Sequence, residues 1–175
     1  MKVVIVNSFT RSNENCIHIG TSILGTILFN AGYDVEIIDF NLLINKGEMS
    51  IEALDEDDLS TFGSHILKLN PDIVCFSTMV SSFHISILIS KYIKLKTNIP
   101  VLMGGPHATL CAEEIIKSYP WIDAISLGEG ELNVLHIVNQ LINRKELSNI
   151  DGICYKCANK IVYKKQMNMI HDLDI

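Results

Sequence analysis

Five short apolar runs rich in β-branched residues recur along this sequence of 175 residues, and a segment of helical period follows each of them. The runs are residues 2–7, 35–40, 72–78, 100–104 and 123–128. Most are continuous rather than alternating, which is typical of strands buried on both faces of a sheet. The helical segments are residues 18–32, 57–70, 82–96, 109–119 and 130–145. This order predicts an α/β fold in which helices cover both faces of a parallel sheet.

Composition and charge narrow the possible functions. With 48% hydrophobic and 19% charged residues, the chain is expected to form one ordinary globular domain with a full core. A formal net charge of -6 and scattered basic residues argue against a nucleic-acid partner. No apolar stretch approaches the ~18 residues that span a bilayer. The N-terminal residues MKVVIVNS resemble a strand rather than a signal peptide. We therefore expect a cytoplasmic protein without a membrane partner. Five cysteines, an odd number, indicate reduced thiols.

Two predicted strands stop abruptly at glycines, in VLMGGPHAT at 101–109 and ISLGEGE at 125–131. In parallel α/β sheets, ligands bind outside the carboxyl ends of the strands. Glycines at such corners let a ligand approach the backbone, and the following helix presents N–H groups that are unpaired. A third corner, STMVSSF at 77–83, offers hydroxyl groups. These corners predict a site for a polar or anionic cofactor.

Sequence motifs leave few nucleotide-binding alternatives. The first strand is not followed by GxGxxG, and the sequence contains no GxxxxGK[ST]. A flavin-binding electron carrier of the flavodoxin type stays open, because Ser8, Thr10 and Ser12 offer hydroxyls after the first strand, although that loop contains no glycine. The acidic run at 52–58 is interpreted as the solvated start of a helix.

The motifs together resemble one family over essentially the whole chain. They are NAGYDVEIID at 30–39, PDIVCFSTM at 71–79, VLMGGPHAT at 101–109, WIDAISLGEGE at 121–131 and DGICYK at 151–156. This combination is similar to the cobalamin-binding domain that precedes the catalytic barrel of cobalamin-dependent radical SAM enzymes. The resemblance implies a flavodoxin-like (Rossmann-like) fold with five parallel strands in the order 2-1-3-4-5, and a C-terminal β-hairpin. It divides the chain into a cobalamin-binding α/β domain, residues 1–150, and a hairpin with the start of a linker, residues 151–175.

The resemblance also assigns a site for cobalamin. In that family the corrin ring lies over the carboxyl edge of the sheet, and small residues make room for the nucleotide tail inside the domain. Ser77 and the pair Gly104 and Gly105 match positions that generally accept this tail. The cofactor-binding residues expected at the three corners are Ser77, Thr78, Met79, Gly104, Gly105, Pro106, His107, Gly128, Glu129 and Gly130.

One departure from related cobalamin domains concerns the cobalt ligand. Methionine synthase and the mutases carry DxHxxG after the first strand, where the histidine replaces the cofactor's own base on cobalt. Aligning Gly20 with that glycine puts Asn15 at the acid position and Ile17 at the histidine position. His18 is one residue out of register, which turns it by about 100° on a helix. We therefore expect base-off binding without a protein histidine on the metal.

A second departure concerns iron–sulfur chemistry, for which radical SAM enzymes use a CxxxCxxC triplet of thiolates. This sequence has only the close pair Cys154 and Cys157, in a predicted hairpin closed around residues 158–160, and the pair is interpreted as structural.

Because HDLDI at 171–175 resembles the linker before the barrel, we expect a longer parent enzyme. Its radical SAM domain would hold S-adenosylmethionine and the cluster, and it would act as a methyltransferase or a cyclase. A degenerate interaction domain stays open, in which Met79, Met103 or Phe83 fills the space for the tail.

Overall fold

The computed structural model describes residues 1–10, 18–50 and 56–165. The strands are β1 Lys2–Asn7, β2 Asp34–Asp39, β3 Ile73–Ser77, β4 Val101–Gly104, β5 Ala124–Ser126, β6 Ile153–Cys157 and β7 Lys160–Lys164. The helices are α1 Ile19–Asn30, α2 Phe40–Asn45, α3 Glu56–Lys68, α4 Val80–Lys96, α5 Pro106–Leu110, α6 Ala112–Ser118 and α7 Val134–Ile142. A single 3-10 turn, Gly130–Leu132, precedes α7.

The strands form one sheet in the order β2-β1-β3-β4-β5-β6-β7. Strands β1 to β5 are parallel, which confirms the predicted α/β fold and its 2-1-3-4-5 order. The predicted hairpin is present as β6 and β7, and it turns at Ala158 and Asn159. It does not stand apart, because β6 pairs antiparallel with β5 and so extends the same sheet.

Some element boundaries differ from those predicted. Residue 40 was assigned to the second strand, but Phe40 begins α2, because the Asp39 carboxylate caps this helix by accepting from Leu42 N at 3.0 Å. The Phe40 ring is then buried against Phe62, with ring centroids 4.5 Å apart. The helix predicted over 109–119 is two helices that meet at Cys111. The acidic run at 52–58 lies partly outside the described residues, and α3 begins at Glu56 within it.

The core lies on both faces of the sheet. On one face, the helices α3 to α6 pack on Val4, Phe76 and Met103. On the other face, α1 and α7 pack on Ile5 and Leu102. Alternate residues of the central strands therefore point to opposite, fully buried faces, which explains the continuous apolar runs in the sequence. Within the described ranges, no helix is both long and apolar enough to cross a bilayer.

An ionic clamp ties the amino-terminal ends of the central strands to α4. Lys94 Nζ lies 2.9 Å from Asp123 Oδ2, and it also donates to Ile99 O at 3.2 Å. The same carboxylate oxygen accepts from Val101 N at 2.7 Å. The Asp123 carboxylate thus forms an ion pair with Lys94 and accepts a hydrogen bond from the first N–H of β4. These contacts lie at the end of the sheet opposite the glycine corners.

Candidate cofactor site

A cavity of about 210 Å³ opens at the carboxyl edge of the sheet, on the face covered by α1 and α7. Its apolar walls are Ile5, Leu24, Leu28, Leu102 and Val134. Exposed Gly20, Pro106 and Gly128 lie at its mouth. The volume is below the ~300–1,000 Å³ of sites that enclose a drug-sized ligand. It therefore suits one portion of a large cofactor, such as a heterocyclic base, with the remainder outside.

The second glycine of the GG corner is required by the protein's own backbone. Gly105 has φ of +95°, and a Cβ there would lie 2.7 Å from Thr78 O and 2.8 Å from Thr78 N. The two loops are also hydrogen-bonded to each other. Thr78 donates to Gly104 O from both its N–H and its Oγ1, each at 2.8 Å, and His107 N donates to Thr78 O at 3.3 Å. Gly105 therefore serves the contact between the β3 and β4 corners.

The first glycine of the pair has no such structural requirement. A Cβ on Gly104 would meet Ser126 Cβ at 3.6 Å, an ordinary contact, and the φ of Gly104 is not positive. A Cβ on Gly20, in the first turn of α1, would meet no atom of the described residues within 4 Å. Both glycines line the cavity, so a side chain at either position would occupy space that the protein leaves empty. A cradle of this kind fits a cofactor that enters between α1 and the sheet.

Four side chains on the cavity wall carry oxygen atoms, namely Thr21, Ser77, Ser126 and Glu131. Thr21 Oγ1 donates to His18 O at 2.9 Å and accepts from Asn7 Nδ2 at 3.2 Å. Ser126 Oγ donates to Asn133 Oδ1 at 2.8 Å. The Ser77 hydroxyl makes no hydrogen bond to any other described residue, so it is available to a ligand.

The cavity also contains a thiol, that of Cys75 on β3. Burial raises the pKa of Cys75 to about 12, because the thiolate would lose its hydration. The group is therefore a neutral thiol at physiological pH. It contributes apolar surface to the wall rather than a nucleophile or a metal-binding thiolate.

The structure brings together six of the ten residues expected at the site: Ser77, Gly104, Gly105, Pro106, Gly128 and Gly130 line the cavity. The other four lie beside it. Thr78 is buried in the corner described above, and Met79 is half exposed before α4. The His107 ring packs on Phe83 with centroids 4.4 Å apart, and Glu129 lies between Gly128 and the 3-10 turn.

Sequence reasoning missed the wall that α1 and β5 provide. Gly20, Thr21 and Leu24 come from the first turns of α1, and Ser126 ends β5. Two signals could have found them. A glycine in the first turn of a helix lowers helix stability without a local reason, and Ser126 is the single hydroxyl in the apolar run DAISLG.

His18 lies away from this cavity, and its Nε2 is 3.5 Å from Asp39 Oδ2. Together with Asn41 and His65, this pair lines a different cavity, of about 320 Å³, beside the edge strand β2. Asn15 and Ile17, which were aligned with the DxHxxG positions, lie outside the described residues. No imidazole lines the glycine cavity among residues 1–10, 18–50 and 56–165.

The features of the two alternative functions are placed elsewhere. Among the hydroxyl residues proposed to bind flavin, Ser8 is buried, and its Oγ accepts a hydrogen bond from Ser86 Oγ at 2.7 Å. The backbone N–H of Thr10 donates to Asn41 Oδ1. Ser12 lies outside the described residues. Of the side chains proposed to fill the tail space, Met103 and Phe83 pack in the core on the opposite face of the sheet. Cys154 is buried and Cys157 is exposed, as expected for positions three apart on a strand.

Comparisons with known proteins identify the family of this chain. The family model described as B12 binding domain matches residues 9–138. An uncharacterized methyltransferase of Pyrococcus horikoshii is 34% identical over 126 residues, which are 71% of this chain and 28% of the relative. An anaerobic magnesium-protoporphyrin IX monomethyl ester cyclase of Synechocystis is 26% identical over 158 residues, or 90% of this chain and 30% of the relative. The chain thus spans less than a third of either relative.

Solved structures share the fold. The radical S-adenosylmethionine methyltransferase TsrM from Kitasatospora setae, with cobalamin and a [4Fe-4S] cluster bound, matches with a TM-score of 0.74 at 17% identity, over 97% of this chain and 30% of that one. The cobalamin-dependent S-adenosylmethionine radical enzyme OxsB matches with a TM-score of 0.73 at 19% identity, over 96% and 22%. The family match covers most of the sequence. The chain therefore belongs to the B12-binding domain family, whose cofactor is cobalamin.

Proposed function

We propose that this chain holds cobalamin base-off, with the nucleotide tail in the glycine cavity and no protein histidine on cobalt. The observation that carries the proposal is that Gly104 and Gly20 leave space which the protein itself does not need. The cavity opens to solvent between Gly20, Pro106 and Gly128, and its walls are mostly apolar. A concave, mostly apolar and pre-formed space of this kind is typical of a cofactor site.

The residues around the cavity divide the work of binding. Ile5, Leu28 and Leu102 exclude water from the deep end, while the Ser77 hydroxyl offers a donor or an acceptor to a ring nitrogen. Outside the cavity, Ile19, Met79 and Val80 are 69%, 51% and 77% exposed at the carboxyl edge. We propose that the corrin ring covers these apolar side chains, because contact with the ring would remove their apolar surface from water.

We propose further that the chain is one module of a longer radical SAM enzyme. Its relatives are much longer, and their names describe methyltransferases and cyclases. When bound, cobalamin supplies a cobalt centre that can carry a methyl group, while a separate catalytic domain would hold S-adenosylmethionine and the iron–sulfur cluster. In such an enzyme this chain positions the cofactor, shields its tail and determines its axial ligand.

A visible-absorption titration with hydroxocobalamin, followed by gel filtration, tests the binding site. The unsubstituted chain should retain the colour. Gly104→Val should lose it while keeping the fold, because the Cβ fits the backbone and the added methyl groups enter the cavity. Ala31→Val, which adds bulk at the exposed end of α1, is the control and should bind normally. Unimpaired binding by Gly104→Val would exclude this cavity as the tail site.

The axial-ligand proposal has its own measurement. The bound cofactor should show a base-off spectrum, and the reduced cobalt centre should lack the hyperfine splitting that a nitrogen ligand causes. His18→Ala should leave both spectra unchanged, because the His18 imidazole lies towards Asp39. A nitrogen splitting that disappears in His18→Ala would identify this histidine as the ligand and overturn the proposal.

A further inference from the structure

A chain of hydrogen bonds fixes the direction in which the Ser126 hydroxyl points. The carbonyl of Gly152 can only accept, and it accepts from Leu127 N at 2.8 Å and from Asn133 Nδ2 at 2.7 Å. The amide nitrogen of Asn133 therefore faces Gly152, and its amide oxygen faces Ser126 Oγ at 2.8 Å. Because that oxygen can only accept, the single hydroxyl proton of Ser126 is used in this bond.

The oxygen-bearing side chains of the cavity wall are consequently mostly acceptors. Ser126 offers lone pairs only, and Glu131, which also lines the cavity, carries a carboxylate that can only accept. The hydroxyl proton of Thr21 is also engaged, because Thr21 Oγ1 donates to His18 O. Among the oxygen-bearing side chains that line the cavity in the described residues, only Ser77 is left able to donate. A ligand that matches this wall carries hydrogen-bond donors of its own.

We propose that this cavity selects among cobamides by their nucleotide base, and that it favours a base with an exocyclic amine, such as adenine, over the dimethylbenzimidazole of cobalamin. The inference rests on the proposed function. Dimethylbenzimidazole carries two methyl groups, one free ring nitrogen and no donor, so it can bond Ser77 but leaves the acceptors unpaired. Adenine offers ring nitrogens to Ser77 and an amine to the acceptors. Both bases are flat and apolar-faced, as the walls require.

Two residues have distinct roles in this selection. Ser126 is the specificity-determining residue, because its lone pairs meet the base. Asn133 is a positioning residue, since it acts only by holding the Ser126 proton away from the cavity. Asn133 is buried, with 4% of its surface exposed, so solvent does not compete for this bond.

Equilibrium binding of the two cobamides, followed by absorption, tests the proposal. The chain should bind the adenine-containing cobamide roughly three- to tenfold more tightly than cobalamin, the factor that one ordinary hydrogen bond supplies.

Ser126→Ala should bring the two affinities to within about twofold, since the amine loses its acceptor. Asn133→Ala should reduce the ratio by less, because the Ser126 hydroxyl keeps its lone pairs but can then also donate to either base. Asn139→Ala, on the exposed side of the same helix, is the control and should keep the ratio.

The outcomes separate this inference from the proposed function. Equal affinities in the unsubstituted chain, or a ratio that persists in Ser126→Ala, would overturn the selection while leaving cobamide binding in place. Binding of neither cobamide would overturn both. Circular dichroism identifies an Asn133→Ala chain that fails to fold, in which case the ratio in Ser126→Ala decides alone.

Discussion

The adjacent residues Gly104 and Gly105 exclude a side chain for different reasons. At Gly105 the reason is internal, since a Cβ would lie within 3 Å of the Thr78 backbone and φ is +95°. At Gly104 the protein leaves room, and the space belongs to the cavity. A sequence motif cannot separate these two reasons, because both positions are written as glycine.

This difference predicts opposite phenotypes for two alanine substitutions. Gly105→Ala should lower the free energy of unfolding by about 2–4 kcal/mol, through backbone strain and the contact with Thr78. Gly104→Ala should change stability by less than about 1 kcal/mol and weaken cobalamin binding instead. Urea denaturation measures the first effect and absorption titration the second. A stable Gly105→Ala chain would show that the two corners separate easily.

The buried thiols predict a loss of stability at high pH. Burial raises the pKa of Cys75 to about 12, and burial together with the Glu113 carboxylate raises the pKa of Cys154 to about 11, from an ordinary value of 9.0. A raised folded pKa gives stability that is complete below pH 9 and is lost as pH rises towards 11 and 12. The loss is at most about 1.4 kcal/mol per pH unit for each thiol.

Urea denaturation at pH 8 and pH 10 measures this effect, with Cys75→Val as the matched comparison. The drop between the two pH values should be smaller in Cys75→Val, because the remaining titrating groups are the same in both chains. An identical drop in both chains would mean that Cys75 is ionised as easily in the fold as outside it.

At the scale of helices, glycine positions show how packing overrides local preference. Gly63 lies inside α3, where a Cβ would come within 2.2 Å of Cδ1 in the Tyr92 ring of α4. The two helices also share the Ser64 Oγ–Tyr92 Oη hydrogen bond of 2.9 Å. Gly63 therefore sets the distance between α3 and α4, while no described residue lies within 4 Å of a Cβ at Gly20 in α1.

We accordingly expect two helix glycines to respond with opposite sign to alanine. Gly63→Ala should destabilise the fold by about 1–3 kcal/mol, because overpacking against the ring exceeds the gain in helix propensity. Gly20→Ala should stabilise it by about 0.5–1 kcal/mol, since only the propensity changes. Chemical denaturation of both variants gives the comparison. Stabilisation of similar size in both would mean that the Tyr92 ring moves aside at no cost.

How far the sequence predicts these elements depends on where their signals originate. The parallel strands were predictable, because burial on both faces leaves continuous runs such as that of residues 72–78. The helix α2 was not, because it depends on the Asp39 cap and on the packing of Phe40 against Phe62, a contact between distant residues. The GG and GEG corners of the site were predictable from glycine at strand ends. The cavity-lining residues of α1 were not predictable, because the sequence does not show which face of α1 packs on the sheet.

Across the whole molecule, the residue that precedes the hairpin is hydrogen-bonded to groups beside the candidate cavity. Gly152, just before β6, supplies the carbonyl that holds Leu127 and Asn133 beside the cavity. Strand β6 also covers β5, which would otherwise be a short edge strand of three residues. The predicted division at residue 150 therefore falls between groups that are hydrogen-bonded to each other, and it stays a prediction about function.

Truncation tests that division. A chain that ends at residue 150 should be less stable and bind cobalamin more weakly, because Asn133 and Leu127 lose their acceptor and β5 becomes an edge. A chain that ends at residue 158 keeps Gly152 and β6, so it should retain more of both properties. Denaturation and absorption titration compare the three lengths. Normal folding and binding by the chain that ends at 150 would establish residue 150 as a structural boundary.

The hydrogen bonds between Thr78, Gly104 and His107 also bear on how fast a bound cofactor can leave. They join the β3 and β4 corners into one rigid rim, so the cavity cannot widen on that side without breaking three bonds together. The opposite rim is the first turn of α1, where Gly20 lowers helix propensity and no described residue lies within 4 Å of a Cβ. For a cofactor tail bound in the proposed way, we expect fraying of that turn to be the easier route of entry and escape. We therefore expect the residence time of the tail to depend more on α1 than on the glycine corner.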